Sequence, residues 1–386
     1  MPFLMTKMAK SQPQICFVLT AEFAVKAFLL NHLRALSEFY DVTVIVNTNN
    51  PNFLNEQDID AKVIPLAIAR DISLFSDVSC LMQLVKIFYQ QGFSAVHSVT
   101  PKAGLLAMLA SWLARVPLRV HTFTGQVWIT KIGVNRLLLK QFDRLIALFS
   151  TQTIVDSPSQ CQFLIDENVI PIEKSNVFAK GSISGVDLVR FKFNQEMRAV
   201  IRQQLKIPSQ AIVFLFVGRL TKDKGVLDLA QAWRGISFNE AYLLFVGPDE
   251  QNMQIQIVRL AENDKMNIHF IGYTNKPEDY MSAADVLCLP SYREGFGSVV
   301  IEAAAVGIPT IASRIYGITD AVIDNETGLL HTSGDVDAIN NCLQNMLHCS
   351  AFRLKLGQQA QARAVVDFDS HLITQAWVDF YRKNLP

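Results

Sequence analysis

The sequence lacks the marks of several protein classes. None of the six cysteines belongs to a C-x-x-C pair, which argues against a disulfide scaffold or a zinc site and favours reduced thiols. The formal net charge is zero, which gives no support for a nucleic-acid partner. No apolar run approaches the roughly 18 residues of a membrane span, and "ICFVL" is too short for a signal-peptide core. We therefore expect a cytosolic chain that is neither secreted nor membrane-spanning.

Strand-like and helical patterns alternate along the chain. With 386 residues, of which half are apolar, the chain exceeds one typical core, and two domains are expected. Short β-branched or aromatic runs alternate with amphipathic stretches, which is typical of parallel sheets covered on both faces. The strand candidates are 14–20, 41–47, 95–99, 119–124, 153–157, 211–220, 241–247, 267–272, 285–290 and 309–313.

This alternation starts twice and predicts two α/β domains. Each would be a Rossmann-like, doubly wound parallel sheet, and the two domains would face a central cleft at the carboxyl ends of their strands. We place the domains at 1–190 and 191–370, and the terminal helix 371–386 could pack back on the first of them.

The stretch "FVGRLTKDKG" joins a strand to two cations. The strand ends at Gly218, and glycine lets a backbone approach a ligand closely. Arg219 and Lys224 follow, and two cations at this spacing suit a diphosphate. Basic residues after a strand more often only solubilise the surface, so this stretch is weak evidence by itself.

A second stretch, "EGFGSVVIEAAAVGIP", starts at Glu294. Gly295 and Gly297 predict a tight turn, and a helix should begin at Ser298. The unpaired N–H groups at such a helix start attract phosphate. Glu302, one turn further on, could accept hydrogen bonds from ribose hydroxyls, and Glu294 from sugar hydroxyls. An ordinary helix explains either acid alone, but both acids together with the upstream cations favour a ligand site.

These motifs resemble a known family. The pair Glu294 and Glu302 resembles the E-x7-E motif of retaining glycosyltransferases of the GT-B fold, family 4, also called glycosyl transferases group 1. "VGRLTKDKGVLDLAQAW" is similar to the start of the family's C-terminal domain, and "ADVLCLPSYREGFGSVVIEAAAVGIPTIAS" to its donor-binding core. "GITDAVIDNETGLL" is similar to the following segment. The resemblance covers nearly the whole chain and implies an acceptor-binding N-terminal domain and a nucleotide-sugar-binding C-terminal domain.

The resemblance implies roles for individual residues. Arg219 and Lys224 would neutralise the donor diphosphate as it leaves, while Glu302 would hold the ribose and Glu294 the donor sugar. The implied catalytic residues are Glu294, His121, Arg219 and Lys224. The implied donor-binding residues are Gly218, Arg219, Lys224, Gly272, Tyr273, Glu294, Phe296, Gly297, Ser298 and Glu302.

The resemblance also implies that the first half of the chain binds the acceptor. His121 in "RVHTFTGQVW" resembles the family's cleft histidine, although a lone histidine is usually structural. "HSVTPKAGLLAMLA" and "LTAEFAVKAFLLNHL" resemble a subgroup that often builds lipid-linked polysaccharides and protein glycans; the latter replaces the family's usual Gly-Gly loop. The acceptor-binding candidates are His97, Lys102, Asn31 and His32.

A basic amphipathic segment, 128–149, could contact a membrane. It mixes large apolar residues with lysine and arginine, so it could lie on the anionic inner face of the cell membrane and reach a lipid-diphosphate acceptor. The alternative is the solvated face of an ordinary helix whose apolar side packs in the core.

The implied reaction needs no metal. The resemblance favours same-face displacement from a UDP-sugar, with UDP-N-acetylhexosamine the first choice and UDP-glucose, UDP-galactose or a GDP-sugar still open. Three D-x-D tripeptides, at 58–60, 335–337 and 367–369, are interpreted as structural. Two other hypotheses are a hexosamine epimerase of the same fold and a non-catalytic sugar-nucleotide-binding protein. A nicotinamide dehydrogenase is excluded because no G-x-G-x-x-G follows a strand.

Overall fold

Two parallel β-sheets with helices around them form the structure, a computed structural model that describes residues 12–69, 73–236, 241–261 and 267–385. In the described residues, one sheet has seven strands and the other has six. The predicted domain ranges also include residues 1–11 and 386, which lie outside the described part.

The first sheet comes from the first half of the chain. Its strand order is β3-β2-β1-β4-β5-β6-β7, and each pairing is parallel. The strands are β1 (Gln14–Leu19), β2 (Asp41–Val46), β3 (Lys62–Pro65), β4 (Ala95–Ser98), β5 (Leu118–Phe123), β6 (Gln152–Val155) and β7 (Ser175–Asn176). The accompanying helices are α1 (Glu22–Phe28), α2 (Leu30–Ser37), α3 (Leu74–Gln91), α4 (Pro101–Leu113), α5 (Gly133–Phe149) and α6 (Pro158–Asp166).

The second sheet repeats this arrangement. Its order is β10-β9-β8-β11-β12-β13, again with parallel pairs. The strands are β8 (Ile212–Val217), β9 (Ala241–Val246), β10 (Ile268–Gly272), β11 (Val286–Leu289), β12 (Thr310–Ser313) and β13 (Gly328–His331). The helices are α7 (Gln195–Gln204), α8 (Val226–Trp233), α9 (Met253–Ala261), α10 (Pro277–Ala283), α11 (Ser298–Val306), α12 (Ile318–Ala321), α13 (Val336–His348) and α14 (Ser350–Asp367).

The strand order fixes where ligands can bind. In each sheet the order of the strands reverses beside the first strand, between β1 and β4 and between β8 and β11. In open parallel sheets, ligands bind outside the carboxyl ends of the strands at such a switch point. The residues that follow β5, β6, β8 and β11 are therefore the candidates for ligand contact.

The terminal helix α15 (Ser370–Asn384) returns to the first sheet. Trp377 and Tyr381 are fully buried there, and the Trp377 ring lies 6.2 Å from that of Phe17 in β1. The chain passes from one half to the other near Val186, which forms an isolated parallel bridge with Asp369. Of the helices in the described residues, none has the length and apolar character needed to cross a membrane.

Two of the D-x-D tripeptides serve as helix caps. The Asp335 carboxylate accepts a hydrogen bond from the Ala338 N–H at 2.9 Å, and the Asp369 carboxylate from the His371 N–H at 2.9 Å. Asx side chains commonly satisfy unpaired N–H groups at helix starts in this way. No group of three or more His, Cys, Asp or Glu residues in the described ranges is placed to hold a metal ion.

Candidate functional site

A lysine and a glutamate meet at the carboxyl edge of the second sheet. Lys224 ends a 3₁₀ turn, Lys222–Lys224, that follows β8, and Glu294 lies in the loop after β11. The Lys224 Nζ donates to Glu294 Oε1 at 2.5 Å, and Ser291 Oγ donates to the same oxygen at 2.8 Å. The side chains are only 18 and 14 % exposed, so water screens this pair weakly. The structure thus brings two predicted catalytic residues together.

A close backbone contact holds this turn in place. Gly225 directly follows Lys224 and has a φ of +68°, which favours glycine. A Cβ at Gly225 would lie 2.0 Å from the carbonyl oxygen of Pro290, which directly follows β11. The loops after β8 and β11 therefore touch through their backbones, and the Lys224–Glu294 pair is held by both.

Helix α11 opens toward the same region. Gly297, with a φ of +84°, precedes its first residue, Ser298. Within the described part of the chain, no side chain caps this helix start. Its unpaired N–H groups and the positive end of its dipole remain available for an anion. A phosphate at this helix start stays a prediction.

Glu302 lies on α11 and is half-buried. Burial raises its carboxyl pKa to about 7; the charge of Arg190 opposes this shift, and that of Glu278 adds to it. The Arg190 guanidinium itself pairs with Glu278 at 3.0 Å. A carboxyl that is partly protonated near neutral pH can both accept and donate hydrogen bonds, which suits a pair of ribose hydroxyls.

Arg219 follows Gly218 after β8 but does not pair with Glu294. Its guanidinium donates to the Glu250 carboxylate at 2.9 Å instead. Gly272 is the last residue of β10, which is an outer strand of this sheet, and Tyr273, which is 66 % exposed, follows it. Arg219, Gly272 and Tyr273 all lie at the carboxyl ends of the strands, as the Lys224–Glu294 pair does. Their contacts with the donor stay predictions.

The first sheet supplies the opposing wall of the cleft. Gly125 follows β5, and a Cβ there would lie 3.0 Å from the Gly295 backbone nitrogen. Ser157 follows β6, and its hydroxyl donates to the Gly295 carbonyl oxygen at 3.0 Å. A Cβ at Gly295 would lie 2.6 Å from Asp156 Oδ2 and 2.8 Å from the Gly125 nitrogen. The loop that carries Glu294 is therefore pressed directly against the N-terminal half.

Asp156 is a buried carboxyl at this contact. Burial raises its pKa to about 7; the backbone N–H of Ile183 opposes the shift, and the charge of Glu294 adds to it. Its Oδ1 is buried, with no hydrogen-bond partner among the described residues. A neutral carboxyl can pack against the Gly295 backbone without burying a charge.

Further contacts between the halves lie beside this wall. The Ser159 hydroxyl donates to Asp320 Oδ2 at 2.5 Å and accepts from the Gly317 N–H at 2.7 Å. The Tyr316 hydroxyl donates to Gln126 Oε1 at 3.0 Å. These bonds hold the loop after β5 and the start of α6 against the second domain.

The sequence matches two family descriptions, one for each half. The family described as Glycosyl transferases group 1 matches residues 197–363, and the Glycosyl transferase 4-like domain matches residues 25–178. Together the two matches cover most of the chain. The chain belongs to the group 1 glycosyltransferases. The first match contains Lys224, Glu294 and Glu302, the residues on which the resemblance in the sequence depends.

This glycosyltransferase resembles other glycosyltransferases over most of its length. The capsular polysaccharide biosynthesis glycosyltransferase CapM of Staphylococcus aureus is 27 % identical, over 87 % of this chain and 88 % of that protein. The N,N'-diacetylbacillosaminyl-diphospho-undecaprenol alpha-1,3-N-acetylgalactosaminyltransferase of Campylobacter jejuni is 22 % identical, over 95 % of this chain and 98 % of that protein.

A solved structure shares the fold. Anabaena HepE in complex with UDP and glucose has a TM-score of 0.80 at 20 % identity, and the match covers 96 % of this chain and 100 % of HepE. This likeness confirms the predicted α/β architecture of two Rossmann-like domains, the GT-B fold.

The structure packs His121 inside the first domain. His121 lies inside β5 and is buried, and its Nδ1 is 2.8 Å from Ser98 Oγ. A Cβ at Gly104 would lie 2.4 Å from the imidazole, so α4 covers the ring closely. Burial lowers the pKa of His121 to about 3. These contacts are those of a packed, neutral core histidine, and a sugar contact by His121 finds no support in them.

His97 and His32 pack the terminal helix of the glycosyltransferase instead of lining the cleft. His97 lies 2.7 Å from the Tyr381 hydroxyl and 2.7 Å from Thr122 Oγ1 through its two ring nitrogens. The His32 nitrogens lie 3.0 Å from Thr374 Oγ1 and 2.8 Å from the Ile183 carbonyl oxygen. Since all four ring nitrogens already have partners, neither side chain has a group left for an acceptor.

The side chains of two further acceptor candidates and of one donor candidate contact other parts of the protein. Lys102 forms an ion pair with Asp77 at 2.7 Å, and Asn31 is an exposed residue of α2 whose Oδ1 lies 3.4 Å from Arg34. Phe296 is buried, with its ring 5.2 Å from that of Phe368. Only the backbone of Phe296 could therefore reach a donor.

Three cleft residues, Gly125, Asp156 and Ser157, are not indicated by the sequence motifs. A signal was present for Asp156, because this acid directly follows the β-branched residues 153–155 within the predicted strand 153–157, near the end where ligands bind. Gly125 follows β5 in the same way. Their partner, Gly295, lies more than a hundred residues away in the sequence.

Proposed function

We propose that this glycosyltransferase moves a sugar, first choice N-acetylhexosamine, from a UDP-sugar to a polyprenyl-diphosphate-linked glycan, with retention of anomeric configuration and without a metal. The observation that carries the proposal is the Lys224–Glu294 pair, which lies at the switch point of the second sheet beside the open start of α11. A cation and unpaired N–H groups at one place suit a diphosphate.

Each donor group then has a counterpart in the cleft. The diphosphate would lie between Lys224 and the N–H groups after Gly297, and the sugar hydroxyls would reach Glu294. Glu302 has no hydrogen-bond partner among the described residues and would take the ribose hydroxyls. The proposal that the donor carries UDP is supported by HepE, a protein of the same fold whose structure was solved in complex with UDP and glucose.

The transfer step is a displacement on one face of the sugar. The bond between the anomeric carbon and the diphosphate oxygen breaks, and the acceptor oxygen bonds to the same face. The acceptor proton passes to the leaving diphosphate oxygen, so no separate base is required. Lys224 stabilises the charge that grows on this oxygen.

The acceptor class rests on the relatives. The Campylobacter protein is described as acting on a diphospho-undecaprenol-linked sugar, and CapM as working in capsular polysaccharide biosynthesis. We propose the same kind of acceptor here, in the assembly of a bacterial surface polysaccharide or glycan.

A helix of the first domain would bring the protein to such lipids at the inner face of the cell membrane. Ile132, Val134 and Leu148 on or beside α5 are 89, 79 and 65 % exposed. Helix α4 packs between α5 and α3, and α3 carries the exposed residues Phe75 and Tyr89. Most cations of α5 are already engaged, since Arg136 and Lys140 pair with Glu167. Apolar insertion would therefore contribute more than charge.

The double variant Val134→Glu/Leu148→Glu is expected to lower binding to phosphatidylglycerol vesicles at least about tenfold, because each change places a charge on the apolar face. Co-sedimentation with vesicles measures this. Leu354→Glu, at a similarly exposed leucine of α14 on the second domain, serves as the matched control. Equal binding by both variants and the wild type would contradict membrane contact through α5.

The function is tested by offering the purified chain a panel of UDP- and GDP-sugars with a membrane lipid extract as acceptor. One donor should be turned over, EDTA should leave the rate unchanged, and Glu294→Ala should abolish it. The product linkage, read by NMR, should keep the donor's anomeric configuration. Inhibition by EDTA would contradict metal independence, and an inverted product would contradict retention. Absence of nucleotide binding would refute the proposal as a whole.

A further inference from the structure

A cavity of about 620 Å³ lies between the two domains, next to the candidate donor site. The N-terminal half lines it with Val127, Ile129 and Lys131, at the entry to α5. The C-terminal half lines it with the loop after β8 and with residues just before Glu294. We call it the basic cavity; its charged lining residues are Lys131, Arg219, Lys222, Asp223, Glu250 and Arg293.

The charges of the basic cavity do not cancel. Asp223 pairs with Arg293 at 2.8 Å, and Glu250 pairs with Arg219 at 2.9 Å. Lys131 and Lys222 have no carboxylate within ion-pair distance among the described residues. Two lysines, one from each domain, therefore leave the cavity with an excess of two positive charges. Such an excess suits a dianion that bridges the domains.

The basic cavity differs from the donor diphosphate site. Lys224, Glu294 and the start of α11 do not line it, although Asp223 and Arg293 are their direct neighbours in the chain. An anion in the cavity would thus lie beside the donor, not in its place. Arg219 is shared by both locations.

The lining also offers an apolar path away from the charges. Val127 and Ile129 line the cavity. The exposed residues Ile132 and Val134 come soon after Lys131 in the sequence, where α5 begins. A ligand with a charged head and a hydrocarbon tail could place its head at Lys131 and Lys222 and run its tail along this path.

We propose that the basic cavity binds the diphosphate of the prenyl-linked acceptor, held by Lys131 and Lys222 from opposite domains. This inference rests on the proposed function for the identity of the acceptor. It adds the residues that hold the acceptor's diphosphate, and it explains why the cations there belong to both halves of the chain.

The test measures binding of geranyl diphosphate by calorimetry to the full chain with UDP at saturation. We expect binding, with the Kd raised at least about tenfold in Lys131→Gln and in Lys222→Gln, which is about 1.4 kcal/mol for each lost charge contact. Inorganic pyrophosphate should bind more weakly because it lacks the tail, and geraniol should not bind. Lys192→Gln, at an exposed lysine outside the cavity, is the matched control, and melting curves verify that each variant is folded.

Three results would overturn the inference. These are no binding of geranyl diphosphate to the UDP-saturated chain, a Kd unchanged in both variants, or probe binding that appears only when UDP is left out, which would place the probe in the donor site. The transfer assay separates this failure from that of the proposed function. Normal donor turnover without lysine-dependent probe binding refutes the cavity alone, whereas probe binding without turnover of any donor refutes the proposed function alone.

Discussion

Lys224→Met is expected to lower kcat for sugar transfer about a hundredfold to a thousandfold, the usual effect of removing one preorganised charge-stabilising group. The physical reason is that Lys224 is mostly shielded from water beside Glu294, so its charge acts strongly on the leaving diphosphate. The KM for the donor should change less than kcat, because the charge on the bridging oxygen grows during the reaction. Steady-state release of nucleoside diphosphate measures both constants.

A purely structural ion pair would behave differently. In that case Lys224→Met would lower the melting temperature with little change in kcat, and adding Glu294→Gln would restore stability by removing the unpaired buried carboxylate. Lys192→Met, at an exposed lysine outside the candidate site, controls for the loss of a positive charge. A kcat for Lys224→Met within about threefold of the wild type would contradict a role in leaving-group stabilisation.

Gly295→Ala is expected to lower kcat at least about a hundredfold, since even small displacements of reacting groups cost this much. The added methyl would lie 2.6 Å from Asp156 Oδ2 and 2.8 Å from the Gly125 nitrogen, both closer than van der Waals contact allows. The two domains must then separate or the loop of Glu294 must move. UDP binding should weaken less than kcat because Glu302 and the start of α11 belong to one domain. Kinetics with calorimetric UDP titration measures this difference.

The control for Gly295→Ala is Gly92→Ala, at the end of α3. A Cβ there meets nothing within 4 Å, but the φ of +66° makes alanine unfavourable. This variant should lose stability and keep its kcat, which separates general destabilisation from loss of domain contact. A fully active Gly295→Ala enzyme would contradict the idea that the contact between Gly125 and Gly295 shapes the active cleft.

The main strands of the fold were predictable because they are buried and apolar. β1 and β8 are each six residues long with few polar side chains, and the structure places both near the predicted bounds. β3, β7 and β13 were not predicted. β3 and β7 lie at the two edges of the first sheet and β13 at an edge of the second, and β7 has only two residues, "SN", which carry no apolar pattern.

The candidate site was predictable where its residues are close in sequence. The turn at Gly297 and the helix that starts at Ser298 follow from local glycine and apolar patterns, and the structure shows both. The histidines were not predictable, because their partners are distant. His97 reaches Tyr381, 284 residues further on, and no local pattern near His97 reveals that the terminal helix covers it.

The Lys224–Glu294 contact falls between these cases. The two residues are 70 positions apart, yet each follows a strand at the switch point of the same sheet. The fold rule that ligands bind at this point joins them, where sequence spacing alone could not. The contact between Gly125 and Gly295 needed the structure because it depends on how the two domains meet.

The measurement that tests the central claim most directly is the ratio of nucleoside diphosphate released to sugar added to the lipid-linked acceptor by the wild-type chain. We predict one nucleoside diphosphate for each sugar, with mass spectrometry showing the lipid-linked glycan longer by one residue. Conversion of the UDP-sugar to an isomer without any acceptor would contradict this account and favour an epimerase. Binding of the donor without release or transfer, with every acceptor of the lipid extract present, would contradict it as well.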